Sequence, residues 1–381
     1  MNFDLTEDQL LVQNAVRGFA ESEIAPSAIE RDKEAKFPVE IIKKLGKLGF
    51  MGMMVSPEYD GAGLDTVSYA LAVMEISKVD ASVGVIVSVN NSLVCYGIEK
   101  WGTDFIKEKY LKRLAKGEKL GAFALSEPEA GSDATRQQTF AVKDGNKWVI
   151  NGTKNFITNG NSADYYLVMA QTDKEKGHHG ISTFIVEKGT PGFTHGVKED
   201  KLGIRSSDTC SLSFENCEVP EENIVWEIGK GFNFAMNTLN GGRIGIASQA
   251  VGIAEGSLDA ARKYALTRKT FGTEISNYQA IQFKLADMAV KVEAAKLLTL
   301  KAAAFKDADR NYVKEAAMAK LYASKIAVEC ALEAIQIHGG YGYVREYQVE
   351  RFLRDAKITE IYEGTSEIQR IVIARELLKS S

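Results

Sequence analysis

"QQTFAVKDGNKWVINGTKNFITN", residues 137–159, decides how this chain is read. Its apolar and β-branched residues alternate. Two dipeptides, Asp144-Gly145 and Asn151-Gly152, are of the kind that hairpin turns favour. That texture belongs to strands, and both dipeptides are read as turns. "DYYLVMAQT" (164–172), "GISTFIVEK" (180–188) and "CSLSFENCEVP" (210–220) follow at short spacing. Together they predict a compact, antiparallel, barrel-like β domain over residues 121–227.

Working outward, the texture changes on both sides. Upstream, "LTEDQLLVQNAVRGFAESEIAP" (5–26) opens with Thr6 and Gln9 as a capping box. It carries Leu11, Ala15 and Phe19 on one helical face and stops at Pro26. "FPVEIIKKLGKLGF" (37–50) and the apolar stretch 66–102 continue the helical periodicity, so residues 1–120 form an all-α domain. Downstream of Trp226, amphipathic segments such as 278–306 and 313–340 recur, about four in all, and predict a four-helix bundle over residues 228–381. The fold class is α+β in three parts.

Composition narrows the function. A chain of 381 residues with 45% hydrophobic content can supply a substantial core. A net charge of -4, with basic residues spread along the chain, gives no footprint for nucleic acid. No uninterrupted apolar run reaches the roughly 18–20 residues of a membrane span. The start, "MNFDLTEDQL", lacks the marks of a secretory or transit sequence, so the mature chain is expected to begin at Met1. Four cysteines, at positions 95, 210, 217 and 330, are too few and too scattered for a disulfide framework. Neither they nor the four histidines are spaced as a zinc set, so a reducing compartment and no metal are expected. His178 and His179 read as solvated loop residues, and His338 as a packed or capping one.

Both standard phosphate fingerprints are missing. "FALSEPEAGSDA" (123–134) starts as a strand and breaks into small, polar residues; it is a loop that could also bring backbone N–H groups and hydroxyls to a planar ligand. Arg243 in "LNGGRIGIASQ" and Arg268 in "RKTFG" could bind phosphate or make surface ion pairs. "QIHGGYGY" (336–343) is a helix stop that could also admit a ligand to the backbone. In "IYEGTSEIQR" (361–370) a carboxylate stands between an aromatic residue and a glycine, ahead of a helix. Locally, Glu363 is equally an ordinary helix-start acid.

Taken in order, "FALSEPEAGSDA", "KNFITN", "LNGGRIGIASQAVGIAEGSLD", "RKTFG", "QAIQFKLADM", "QIHGGYGY" and "RDAKITEIYEGTSEIQR" resemble the acyl-CoA dehydrogenase family over almost the whole chain, most closely its short-chain, butyryl-CoA members. The resemblance implies FAD between the β domain and the C-terminal bundle, with the acyl-CoA thioester sandwiched between flavin and Glu363. Glu363 would take the α proton while the β hydrogen leaves to the flavin, giving the trans-2-enoyl-CoA. The thioester carbonyl would accept from the Glu363 N–H and a flavin ribityl hydroxyl, as in an oxyanion hole. Desolvation would raise the Glu363 pKa towards roughly 6 to 7.

By the same resemblance, Phe123, Ala124, Leu125, Ser126 and Ser132, with Phe156, Ile157 and Thr158, contact the flavin. Ser132, Asn240 and Arg243 meet the CoA portion, and Gly364 lets the acyl chain lie close. Arg268, Phe271, Gln279, Gln336, Ile337, Gly339 and Gly340 would hold the pyrophosphate and adenine of a neighbouring subunit's FAD, which implies a homotetramer. Thr365, Ser366 and Glu367 complete the FAD contacts at a helix start.

Three positions depart from the family pattern. Gly242 stands where some members carry their base, leaving Glu363 as the candidate. Asn240 replaces an aspartate of the mammalian short-chain enzymes, and Phe156 replaces a tryptophan common beside the flavin. The implied electron acceptor is an electron-transferring flavoprotein. The implied location is the bacterial cytoplasm, or the mitochondrial matrix if a transit sequence has been removed. An acyl-CoA oxidase would share the desaturation but reoxidise with oxygen, and is usually longer. A silent acyl-CoA-binding scaffold would lack the base that Glu363 supplies.

Overall fold

The computed structural model describes residues 4–379; residues 1–3 and 380–381, the outer ends of the first and last expected domains, lie outside the described residues. The N-terminal part is helical: α1 (Glu7–Phe19), α2 (Ala28–Glu34), α3 (Val39–Lys47), α4 (Thr66–Val79) and α5 (Ala81–Trp101). The expected capping box is present. Thr6 Oγ1 accepts from the Gln9 N–H at 3.2 Å, while Gln9 Oε1 accepts from the Thr6 N–H at 3.0 Å. Asp80 breaks α4 from α5: one carboxylate oxygen accepts from the Ser82 N–H at 2.9 Å, and the other pairs with buried Arg31 at 2.7 Å.

α5 is long and apolar enough to cross a membrane by length and composition, but 94% of its apolar window is buried inside the protein. It is a core helix. The serines and asparagines that interrupt its apolar run are buried too; Asn90 donates to the Met51 carbonyl at 2.7 Å and Asn91 to the Phe50 carbonyl at 3.0 Å.

The middle part is one eight-stranded sheet: β1 (Gly121–Ala124), β2 (Phe140–Asp144), β3 (Lys147–Thr158), β4 (Tyr165–Gln171), β5 (Ile181–Glu187), β6 (Phe193–His195), β7 (Thr209–Pro220) and β8 (Ile224–Val225). The strand order is β6-β7-β3-β2-β4-β5-β8, with β1 beside β4. Its pairings are predominantly antiparallel, except that β4 takes β1 and, at its own last residue, the start of β2 in parallel. The exception arises because β1 leads out of the helical domain, and the loop after it crosses over before β2 begins. Trp148, Tyr166, Phe184, Phe193 and Phe214 meet in one core, around which the sheet wraps.

Of the two expected turns, Gly145 makes one, at φ 60° between β2 and β3. Asn151-Gly152 does not. β3 runs unbroken through it, and the register with β7 slips between Ile150 and Gly152. A Cβ on Gly152 would lie 2.6 Å from Thr139 Cα, so this glycine marks a bulge and a close backbone approach rather than a hairpin. A second slip between Lys154 and Ile157 accompanies Phe156 at φ 56°, with its ring 66% exposed.

The C-terminal part has three long helices, α6 (Gly231–Thr267), α7 (Gln279–Asp307) and α8 (Val313–His338), and two shorter ones, α9 (Val349–Thr359) and α10 (Ser366–Leu378). α8 packs on α6 and α7, and α9 and α10 pack on α8. Buried Ala316, Ala319, Ala323, Ala327, Ala331 and Ala334 line α8, and such small side chains permit close helix approach. α6 also packs on α4, joining the two helical parts beneath the sheet.

Candidate active site

α5, the loop after β1, the end of β3, α6 and the turn before α10 enclose a cavity of about 260 Å³. Its walls fall into three kinds. Val85, Val89, Leu93, Met236 and Leu239 are aliphatic or thioether; Phe123 and Phe156 are flat aromatics; Ser126, Ser132, Thr135, Thr158, Arg243 and Glu363 are polar.

Glu363 sits in a strained turn. Its φ is 51° and that of Gly364 is 88°, so two successive residues are left-handed, and the non-glycine one costs on the order of 1 kcal/mol. Surrounding side chains hold the turn in place. Gln369 Nε2 donates to the Glu363 carbonyl at 3.2 Å and to the Gly364 carbonyl at 2.9 Å, and Lys320 Nζ donates to the Gly364 carbonyl at 2.7 Å. The Tyr362 hydroxyl donates to Gln249 Oε1, and Gln249 Nε2 in turn donates to the Ala81 carbonyl at 2.8 Å. Thr365 caps α10, its Oγ1 accepting from the Ile368 N–H at 3.4 Å. The helix start and the placed carboxylate are therefore adjacent features of one turn.

Glu363 Oε2 is buried without a hydrogen-bond partner. Burial pushes the Glu363 pKa up to about 7, with Lys320 and Arg243 pulling it the other way. The space for this carboxylate is made by Gly242, on which a Cβ would lie 2.2 Å from Glu363 Oε2. Arg243 Nη1 donates to Asn240 Oδ1 at 2.6 Å, its Nε is buried and unpartnered, and burial lowers its pKa to about 10 against the pull of Glu363.

Across the cavity, the loop after β1 is anchored from beneath. The buried Lys154 ammonium donates to the Leu125 carbonyl at 3.1 Å, to Glu127 Oε1 at 2.7 Å and to Gln137 Oε1 at 3.0 Å. Glu127 also accepts from the Gln138 and Thr139 N–H groups. One ion pair thus ties both ends of the loop to β3.

The fold agrees with that of relatives along the full chain. The acyl-CoA dehydrogenase N-terminal domain matches residues 6–118, the middle domain residues 122–217 and the C-terminal domain residues 229–378. The chain belongs to the acyl-CoA dehydrogenase family. It is 52% identical over 379 residues to the short-chain specific acyl-CoA dehydrogenase of Clostridium acetobutylicum, covering 100% of both chains. It superposes on butyryl-CoA dehydrogenase from Megasphaera elsdenii with a TM-score of 0.98 at 48% identity, covering 100% of each. A chain solved in work on the electron transferring flavoprotein of Acidaminococcus fermentans, towards a mechanism of flavin-based electron bifurcation, matches at a TM-score of 0.99 and 52% identity, covering 100% of each.

In this acyl-CoA dehydrogenase, Phe123, Leu125, Ser126, Ser132, Phe156, Ile157, Thr158, Arg243, Glu363 and Gly364 line the one cavity. Ala124 is buried in β1, and Asn240 reaches the group through Arg243. Thr365, Ser366 and Glu367 form the cap and first turn of α10. The remaining expected residues are elsewhere. Arg268, Ile337, Gly339 and Gly340 line a second cavity of about 530 Å³ with Tyr264, His338 and Tyr341. Gln336 lies in the last turn of α8, Gln279 opens α7, and Phe271 stands 99% exposed at the tip of a short hairpin. His338 is packed, stacking on Tyr264 at 4.2 Å, whereas His178 is not simply solvated but meets the Phe232 ring edge-on at 5.2 Å.

Sequence reasoning missed the aliphatic wall and the buried cations Lys154 and Lys320. The signal for Lys320 was available: it falls in helical register with Ala316, Ala323 and Ala327 on an apolar face, where a lysine needs a partner.

FAD is the cofactor of this family, and the residues present fit its flavin ring. Phe156 leaves an aromatic face uncovered at the cavity, and Ser126 and Thr158 bring hydroxyls to the same wall. The unpartnered Glu363 Oε2 and Arg243 Nε leave room for a polar ligand opposite.

Proposed function

We propose that this chain oxidises short-chain acyl-CoA thioesters to trans-2-enoyl-CoA, with Glu363 as the general base, FAD as cofactor and an electron-transferring flavoprotein as acceptor. The observation that carries this reading is Glu363 Oε2, buried and unpartnered beside an aliphatic wall, with its pKa raised to about 7. A base poised near neutral pH is matched to removing a weakly acidic proton.

The aliphatic side chains Val85, Val89, Leu93 and Leu239 bind a short acyl chain and exclude water from it. Oε2 of Glu363 takes the α proton, while its backbone N–H donates to the thioester carbonyl and stabilises the negative charge that develops there. Arg243, with Asn240, orients the CoA portion from α6, and Ser132 approaches it from the loop after β1. Phe123 to Ser126 and Phe156 to Thr158 hold the flavin, and Thr365 to Glu367 at the start of α10 offer N–H donors to its phosphates. Bound FAD supplies the acceptor for the β hydrogen and its electron pair.

Arg268, Phe271, Gln279 and residues 336–340 serve the FAD of a neighbouring protomer, so the active form is a homotetramer. Their separation from the Glu363 cavity within one chain supports this. The location is the bacterial cytoplasm or mitochondrial matrix, α5 serves as a core helix rather than a membrane span, and nucleic acid is not a partner.

Glu363→Gln tests the reading. Glutamine preserves shape but accepts no proton, so anaerobic flavin reduction by butyryl-CoA should slow by about 10⁴ or more, with FAD content and ligand affinity retained. Reduction within tenfold of the parent would place the base elsewhere. Rapid stoichiometric peroxide formation in air would make the protein an oxidase, and sedimentation as an FAD-free monomer would overturn the assembly.

A further inference from the structure

Lys320 is a buried charge beside the Glu363 turn that this mechanism leaves unused. It has no exposed surface, it sits on the alanine face of α8, and its hydrogen-bond partner is a carbonyl rather than a carboxylate. An ammonium in such a place is costly unless the structure uses the charge. One helical turn later, the Ser324 hydroxyl contacts the Thr359 carbonyl at 2.9 Å. Lys320 and Ser324 thus grip the segment between α9 and α10 at its two ends, Thr359 before Glu363 and Gly364 after it.

We propose that Lys320 is a positioning residue for the Glu363 carboxylate: from α8 its buried ammonium clamps the left-handed Glu363-Gly364 turn that carries the carboxylate into the cavity. This rests on the reading of Glu363 as the base. The left-handed turn needs outside support, because Glu363 at φ 51° does not favour it. Gln369 supplies neutral donors to the same two carbonyls, and Lys320 adds the charge.

The charged and titratable groups around the pair are few. Glu363 faces Lys320 from α8 and Arg243 from α6, with the Tyr69 and Tyr362 phenols nearby; Lys320 feels Glu363, Arg243, Glu360 and Glu367. Among the cations, Lys320 pulls hardest against the burial that raises Glu363. Burial lowers Lys320 itself to about 8, with Glu363 pulling it back up. The lysine charge therefore holds Glu363 below the value that burial alone would give, and the rate of flavin reduction should fall on the acid side as the carboxylate takes up a proton.

The test is an isotope-edited infrared titration of the FAD-loaded enzyme, following the Glu363 carboxyl band identified by its loss in Glu363→Gln. The parent midpoint is expected at about 7. In Lys320→Met, which keeps length and removes charge, it should rise by about one unit or more. The acid limb of the flavin-reduction profile should move with it, lowering the rate at pH 7 by about fivefold or more. Lys320→Gln is the milder companion should the methionine variant fold poorly, and Lys320→Arg should return the midpoint towards the parent. FAD content and circular dichroism identify the folded variants. An unmoved midpoint and pH profile in a folded, FAD-bearing Met or Gln variant overturns the proposal. A Glu363→Gln enzyme that still reduces its flavin overturns the base assignment instead, whatever the infrared band does.

Discussion

Gly242→Ala should damage catalysis far more than stability. The added Cβ would lie 2.2 Å from Glu363 Oε2, 3.1 Å from Glu363 Cδ and 2.7 Å from Leu93 Cδ2. An ordinary contact needs roughly 3.4 Å or more, so the carboxylate must retreat by roughly 1.2 Å, and a misplacement of about that size can cost on the order of 10²-fold in rate. The fold has an easier escape, because both obstructing groups are side-chain ends. Overpacking typically costs about 1–3 kcal/mol, and the loss here should fall at the low end. The assay is anaerobic stopped-flow reduction of the bound flavin by butyryl-CoA, with thermal unfolding and FAD content measured on the same preparation. We expect reduction to slow by about 10²-fold with FAD retained. A variant that reduces its flavin within threefold of the parent would show that Glu363 does not work from the position it occupies here, and the reasoning would fail.

Two further outcomes concern buried charges away from the base. Lys154→Met leaves Glu127 buried and unpaired, which should cost about 3–5 kcal/mol and loosen the loop after β1, seen as a lower denaturation midpoint and weaker FAD binding; unchanged values for both would remove the anchoring role. Asp355, which accepts from the Ile204 N–H and so joins α9 to the loop before β7, has its pKa raised by burial to about 7. Its folded form holds a proton that the unfolded chain releases near its ordinary value, so its contribution to stability falls as pH rises from about 4 to 7 and is level above that. Asp355→Asn should therefore lose less stability than the parent across that window, and parallel melting-temperature curves from pH 5 to 8 would contradict it.

Much of this protein was legible from local pattern. Helix and strand periodicities, the Thr6 cap and the Gly145 turn depend on neighbours within a few residues, and the structure contains all of them. Glu363 was legible as well, because an acid placed just before a capped helix leaves a trace in sequence; its role as base came from the family resemblance and awaits test. What the sequence could not decide depends on atoms far away along the chain. Asn151-Gly152 has the composition of a turn, yet Thr139 on the neighbouring backbone makes it a bulge. α5 has no uninterrupted apolar run of spanning length, yet its mean hydropathy and length match a span, and it is the packing around it that makes it core. Lys154 and Lys320 look like two lysines among many until packing removes water from them and leaves their charge directed at one loop and one turn. Gly242 and Glu363 are remote in sequence, and only the packing of α6 against the turn before α10 gives the carboxylate the space of a missing side chain. Burial and long-range contact decide such features, because a side chain's solvation, unlike its helical or strand preference, is set by whichever segments the fold brings around it.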